Sequence, residues 1–251
     1  MAPATLLLDA GNTRLKWAMH DGVQWGARGV TALQTLADLA RDWAALAAPL
    51  RIVGSNVAGP WVADQLAEQF APWGRTIEWI TPQASALGVC NQYHVPAQLG
   101  SDRWAALISA RARTSSSCLV VSAGTALTVD ALSAEGVFLG GTITPGLSLM
   151  RAALATGTAN LPPQAGHYAP FPRQTEDAIF TGALHALLGS IQHMAKHLTQ
   201  HGESVPCCLL AGGDAHTLQP YLDLDVQLVD DLVLDGLWRL SQALPRESLT
   251  I

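Results

Sequence analysis

The chain has 251 residues, enough for one large domain or two half-sized ones. Fourteen basic against twenty acidic residues give a net charge of −6 without a basic cluster, which argues against nucleic acid as the main partner. No apolar stretch of about 18 residues and no basic stretch before an early apolar run occurs, so a membrane span and a leader are not expected and the cytoplasm is.

Leu6-Leu7-Leu8 reads as a buried strand running into a tight turn, Asp9-Ala10-Gly11-Asn12-Thr13. Arg14–His20 alternates, with Leu15, Trp17 and Met19 on one face; Asp21-Gly22 marks a hairpin, and a third strand starts at Val23. Thr31-Ala32-Leu33-Gln34 fits a capping box opening a helix, with Leu33, Leu36, Leu39, Ala40 and Trp43 along one stripe, ended by Pro49. Residues 50–53 form a strand, Pro60 suits the first turn of a helix, residues 76–80 form a strand, and residues 101–113 are helical.

The second half repeats this order. Residues 118–122, 126–132 and 137–143 are strands, with a Glu135-Gly136 turn before the third. Thr175 caps a long helix whose first turn carries Glu176 and Asp177 and whose last turns carry Lys196 and His197, matching the helix dipole. Residues 207–210 and Gly212-Gly213 are another strand and turn. Aligned on glycine, Leu119-Val120-Val121-Ser122-Ala123-Gly124-Thr125-Ala126 repeats the opening phrase, with Ser122 where the first copy has Asp9. The halves are expected to be 1–117 and 118–251, an α/β duplication. Each turn offers a glycine and small polar side chains, and successive backbone N–H groups there can converge on an anion such as nucleotide phosphate.

The usual nucleotide motifs are absent. Neither lysine, Lys16 or Lys196, follows a glycine, which removes the P-loop, and no Gly-x-Gly-x-x-Gly follows a strand. His193, His197 and His201 share a helix face without an acidic ligand and read as a solvated stripe. Cys90, Cys118, Cys207 and Cys208 lack CxxC spacing and read as four buried small hydrophobes, with Cys207 and Cys208 on opposite faces of a strand.

The chain resembles the type III pantothenate kinases, of the acetate and sugar kinase, actin and heat-shock chaperone ATPase superfamily, nearly end to end. Asp9-Ala-Gly-Asn-Thr-Arg-Leu-Lys16 is similar to the family's first phosphate motif and Gly124-Thr-Ala-Leu-Thr-Val-Asp130 to its second. Tyr93 with Gly100-Ser-Asp-Arg103 looks like the pantothenate segment, Gly141-Thr-Ile-Thr-Pro-Gly146 like a further signature, and Thr175 falls where the family places a substrate contact. The resemblance implies duplicated ribonuclease H-like (actin-like ATPase) domains with ATP in the cleft between them, a homodimer, and ATP-dependent phosphorylation of pantothenate toward coenzyme A. It implies Asp102 as catalytic base and Tyr93, Gly100, Ser101, Asp102, Arg103 and Thr175 as substrate contacts.

The residue chemistry suits these roles. Phosphoryl transfer asks a protein mainly for positioning and charge neutralisation. Asp9 at a strand end can hold hydrated Mg²⁺, while Gly11, Asn12, Thr13, Arg14 and Lys16, with Gly124 and Thr125 opposite, can contact ATP phosphates. Asp102 opens a helix, where the dipole favours an ionised carboxylate, and Arg103 and Tyr93 supply donors for a polar substrate. One departure stands out: Ser122 replaces the aspartate that helps the family hold a monovalent cation. A site for K⁺ or NH₄⁺ near Ser122 and Asp130 is therefore expected to be weakened. Another small-molecule kinase of the superfamily, or a regulatory protein that binds nucleotide without turnover, are the other readings.

Overall fold

The computed structural model describes residues 4–44, 46–157, 166–204 and 206–243. It divides the chain into two compact units, one built on Met1–Ser109 and the chain from Asp231 onward, the other on Ala110–Asp230.

The first unit opens with β1 (Thr5–Ala10), β2 (Arg14–His20) and β3 (Trp25–Ala32), followed by a 3₁₀ segment (Leu33–Asp38) and α1 (Leu39–Ala44). Next come β4 (Arg51–Asn56), α2 (Pro60–Phe70), β5 (Ile77–Trp79), the short hairpin strands β6 (Ser85–Ala86) and β7 (Val89–Asn91), and α3 (Ser101–Arg113). The second unit holds β8 (Cys118–Ala123), β9 (Ala126–Leu132), β10 (Val137–Pro145), α4 (Leu147–Gly157), α5 (Thr175–Gln200), β11 (Cys207–Ala211), α6 (Ala215–Leu218) and β12 (Val226–Leu228). The chain then returns to the first unit as α7 (Leu232–Ala243).

The duplication is explicit in the strand order. The first sheet runs β3-β2-β1-β4-β5, and the second unit runs β12-β11-β8-β9-β10, the same order read from the other edge. In each, three antiparallel strands continue into two parallel ones through the strand that carries the glycine turn. Alternation decides which face is apolar. Leu6, Leu8 and Ala10 of β1, with Leu15, Trp17 and Met19 of β2, enter one core; Leu119, Val121 and Ala123 of β8, with Leu127, Val129 and Ala131 of β9, enter the other under α5. The opposite face of β1, which carries Asp9, packs against α7, and α7 meets α3 so closely that a Cβ at Gly236 would collide with the Ala105 carbonyl.

Several expectations are corrected. The strand expected from Val23 starts at Trp25, because the Asp21 carboxylate accepts from the Val23 and Gln24 amides and holds a four-residue turn. No capping box forms at Thr31. Thr31 pairs with Leu15 in the β2–β3 ladder, and the following segment is 3₁₀, which suits Leu33, Leu36 and Leu39 at a spacing of three, all buried while Ala40 is exposed. Thr175 is the first residue of α5, not its cap; Gln174 holds that position and its amide donates to Asp177. Of the cysteines, Cys118 and Cys208 are buried as expected, Cys207 is half-buried and Cys90 is exposed on its two-residue-turn hairpin. The compact units also differ from halves at 117/118: the C-terminal helix packs on β1, β2 and β4, since its apolar stripe of Leu232, Leu234, Leu237 and Leu240 finds cover there.

Candidate active site

Asp9 is the next-to-last residue of β1, the central strand of its sheet, and lies beside Lys16 of β2 and Ser55 of β4 in register. All three side chains therefore leave the sheet on one face. The turn beyond Asp9 is closed by Gly11 N–H donating to the Arg14 carbonyl at 3.1 Å, with the Thr13 carbonyl accepting from Leu33 N–H at 3.1 Å. Asn12, Thr13 and Arg14 are exposed, Gly11 and Lys16 half-buried.

The head of α3 reaches this face. Ser101 and Ser55, both buried, share a hydrogen bond at 2.8 Å between their hydroxyls. The next residue is Asp102, whose carboxylate is the largest electrostatic neighbour of Asp9. Burial, then Asp102 and more weakly Asp231 at the start of α7, push Asp9 up from 3.8 to about 7, with Lys16 opposing. Burial likewise raises Asp102 above the usual carboxylate range, against the Arg103 amide, which donates to its Oδ1 at 2.7 Å, and the Arg103 guanidinium. The helix dipole had suggested the opposite direction for Asp102. Desolvation outweighs it here.

Gly100 makes the arrangement possible: a Cβ there would stand 2.5 Å from Asp102 Oδ1. Arg103 is itself buried, donates to the Tyr93 hydroxyl at 3.0 Å, and lies with Cζ 5.8 Å from the ring centre. Tyr93 is in turn fixed by the Asn91 side chain, which accepts from Tyr93 N–H at 3.1 Å and donates to the Gln83 and Pro96 carbonyls. Asp9, Lys16, Ser101, Asp102, Arg103 and Tyr93 thus belong to one connected polar region of the first unit.

The second unit carries its own glycine turn. Ser122 pairs with Thr128, and Gly124 N–H donates to the Ala126 carbonyl at 3.0 Å, a turn one residue shorter than its counterpart. Gly146 N–H donates to the Thr125 carbonyl at 2.8 Å, and Cβ atoms at Gly146 or Gly212 would collide with the backbone of Gly124 and Ala123. Gly212 has φ +105°, the left-handed region that glycine tolerates. Three chain segments therefore meet with their backbones exposed to one another at this turn. Asp130, buried, lies two rungs deeper than Ser122 on the same face of the β8–β9 ladder. Thr175 is exposed at the start of α5.

The sequence does not reveal Ser55, because the strand read from it ends at Val53, or Asp231, because residues 118–251 read as one half. Among the described residues no three His, Cys, Asp or Glu side chains group as a ready metal cluster, and the His193 and His197 rings meet edge to face at 4.7 Å on an exposed helix face.

Two α/β units of one topology, each with a glycine turn after its central strand, define an actin-like ATPase and sugar-kinase fold. A solved glucokinase from an Antarctic psychrotroph shares it, with a TM-score of 0.52 over 97% of this chain and all of that one, at 12% identity. The family profile of type III pantothenate kinase matches residues 5–197. Type III pantothenate kinases of Nitrosospira multiformis and Aromatoleum aromaticum are 47% and 46% identical, over 94% and 92% of this chain and 90% and 95% of theirs. The chain belongs to the type III pantothenate kinase family: it is a phosphotransferase, phosphorylating pantothenate with ATP in the first step of coenzyme A biosynthesis. A regulatory protein without turnover is not favoured.

Proposed function

We propose that the polar region of the first unit performs this transfer, with Asp102 as base and Asp9 as the carboxylate that holds a hydrated Mg²⁺. The observation that carries the reading is the Asp9–Asp102 pair, in which the Asp102 charge adds to burial in raising Asp9 while burial raises Asp102. Asp102 accepts the proton of the pantothenate primary hydroxyl as its oxygen bonds to the γ-phosphorus, the γ-phosphorus–oxygen bond breaks, and ADP leaves. Tyr93, Gly100, Ser101, Arg103 and Thr175 contact pantothenate; Asn12, Thr13, Arg14 and Lys16 donate to ATP phosphates, and Gly11, Gly124 and Thr125 are phosphate contacts at their turns.

The donor set fits a hard divalent cation. Mg²⁺ favours one or two carboxylates with water and phosphate oxygens, and a cation beside Asp9 relieves the repulsion that raises its pKa. Such an ion supplies positive charge across the phosphates. With Ser122 where a carboxylate is expected, K⁺ or NH₄⁺ gains little at the second turn. The enzyme acts in the cytoplasm as a homodimer. Exposed Ile143 of β10 and Leu149 and Leu154 of α4 support an interface, and no helix among the described residues is long and apolar enough to cross a membrane.

The test is Asp102→Asn. Its kcat is expected to fall about 10²–10⁴-fold, while the Kd for ATP stays within twofold of wild type on the order-of-magnitude scale of such measurements. A variant that keeps more than half of the wild-type kcat makes Asp102 structural and removes it from the mechanism.

A further inference from the structure

We infer that Ser55 is a positioning residue for phosphoryl transfer, holding the head of α3 so that the Asp102 carboxylate keeps a fixed place beside Asp9. The inference rests on the reading of Asp102 as base, and it adds a residue that touches neither substrate.

Ser55 sits on β4 as the register partner of Asp9, so their Cα atoms are ladder neighbours and their side chains share a face. It is completely buried, in a strand whose preceding residues Ile52 and Val53 are also completely buried. A serine in such a place is costly unless its hydroxyl is bonded. Its partner is the Ser101 hydroxyl at 2.8 Å, and Ser101 is the first residue of α3. Asp102 follows directly. The bond therefore ties the start of the helix to the strand beside the one that carries Asp9, at the rung of Asp9.

The bond joins the first residue of α3 to the sheet, whereas the Ser109 hydroxyl, donating to Asp235 of α7 at 2.6 Å, holds the helix two turns further on. The Asp102 carboxylate accepts from Arg103 N–H, which orients it within its own helix turn but not against the sheet. Gly100 leaves it room without holding it. Arg103 anchors to the Tyr93 hydroxyl. Loss of the serine bond leaves α3 packed through its buried apolar stripe of Trp104, Leu107 and Ile108, so the fold survives, but its first turn is released. Misplacement of a base by a fraction of an ångström lowers turnover without loosening nucleotide. It also lets water reach Asp102, which returns its pKa toward the ordinary carboxylate value.

The experiment compares Ser55→Ala, Ser101→Ala, the double variant, Asp102→Asn, and Ser55→Ala combined with Asp102→Asn, each checked for folding by circular dichroism. Ser55→Ala is expected to lower kcat about tenfold with the KM for ATP within about twofold, and to move the acid limb of kcat/KM to lower pH. The double serine variant is expected to be no slower than the slower single variant, because both remove one bond. In the Asp102→Asn background, removal of the Ser55 hydroxyl is expected to change nothing further. If Ser55→Ala folds with wild-type kcat and an unmoved acid limb, the inference is overturned while the assignment of Asp102 stands. If it slows the enzyme equally in the Asp102→Asn background, Ser55 acts on the fold and not through Asp102, and the inference again fails. Should Ser55→Ala not fold, Ser55→Cys, which keeps the volume and loses the strong hydroxyl bond while leaving Ser101 intact, decides by kcat in the wild-type and Asp102→Asn backgrounds. If Asp102→Asn itself keeps its activity, the reading of the base fails, and the positioning role fails with it.

Discussion

Replacing Asp9 by asparagine should stabilise the ligand-free protein while it disables the enzyme. In the folded chain burial and Asp102 hold Asp9 at about 7, against 3.8 for an unperturbed carboxyl. Above the higher value the folded protein carries an ionised group in an unfavourable place, and the unfolded chain does not. At 1.36 kcal/mol per pKa unit, that separation sets a ceiling of about 4 kcal/mol. Asp9 is half-buried, and water reaching the carboxylate reduces the figure to about 1–2 kcal/mol. For a chain of this size such a gain raises Tm by about 2–8 °C. The sign follows from linkage: the folded pKa is raised, so the folded state binds more protons between the two values and wild-type stability falls as pH rises from 3.8 toward about 7. The asparagine gain is therefore complete above that window and only about a third as large near pH 5. Thermal unfolding of both proteins at about pH 8.5 and about pH 5, without nucleotide or metal, gives the comparison. A Mg²⁺ titration of turnover on the same samples should show a weakened response, since asparagine keeps an oxygen but not the charge. An Asp9→Asn protein that melts below wild type at the higher pH, or whose gain is equal at both, contradicts the placement of Asp9 beside a second carboxylate.

Three further outcomes are expected. Gly100→Ala places a Cβ 2.5 Å from Asp102 Oδ1, so the carboxylate must turn away; kcat should drop about tenfold or more with little change in Tm, and an unchanged kcat shows that the carboxylate is free to rotate. In the wild type, kcat/KM should fall on the acid side at a pH above the ordinary carboxylate range, because burial raises Asp102 and the ionised form is the active one; as the two carboxylates interact, that limb belongs to the pair, and a limb at an ordinary carboxylate pKa counts against it. Turnover against K⁺ at fixed ionic strength, with a bulky organic cation as replacement, should show weak activation, and Ser122→Asp should strengthen it; strong activation of the wild type at about millimolar K⁺ means that backbone oxygens hold the ion without the carboxylate.

The sequence made the repeated unit visible because both central strands are near-continuous apolar runs ending in the same glycine turn, and strong local patterns survive folding. Asp9, Lys16, Asp102, Arg103 and Tyr93 were legible for the same reason: each sits inside or beside a compact motif. What the sequence withheld depends on contacts distant along the chain. Ser55 has no motif of its own, and its place comes from parallel register with β1, which no local pattern encodes. The Asp231 charge is felt at Asp9 only because the chain from Asp231 onward packs with the first unit. The direction of the Asp102 pKa was misjudged because a helix start reveals its dipole in sequence but not its burial. The 3₁₀ segment was read as an α-helix because leucines three apart satisfy both periods.

The acceptor is the most direct test of the activity. Purified protein incubated with ATP and Mg²⁺ is to be offered pantothenate and, separately, a panel of small sugars, with products read by mass spectrometry and phosphorus NMR. ADP and pantothenate carrying phosphate on its primary hydroxyl are expected, with no sugar phosphate; turnover of a sugar and none of pantothenate would contradict a pantothenate kinase.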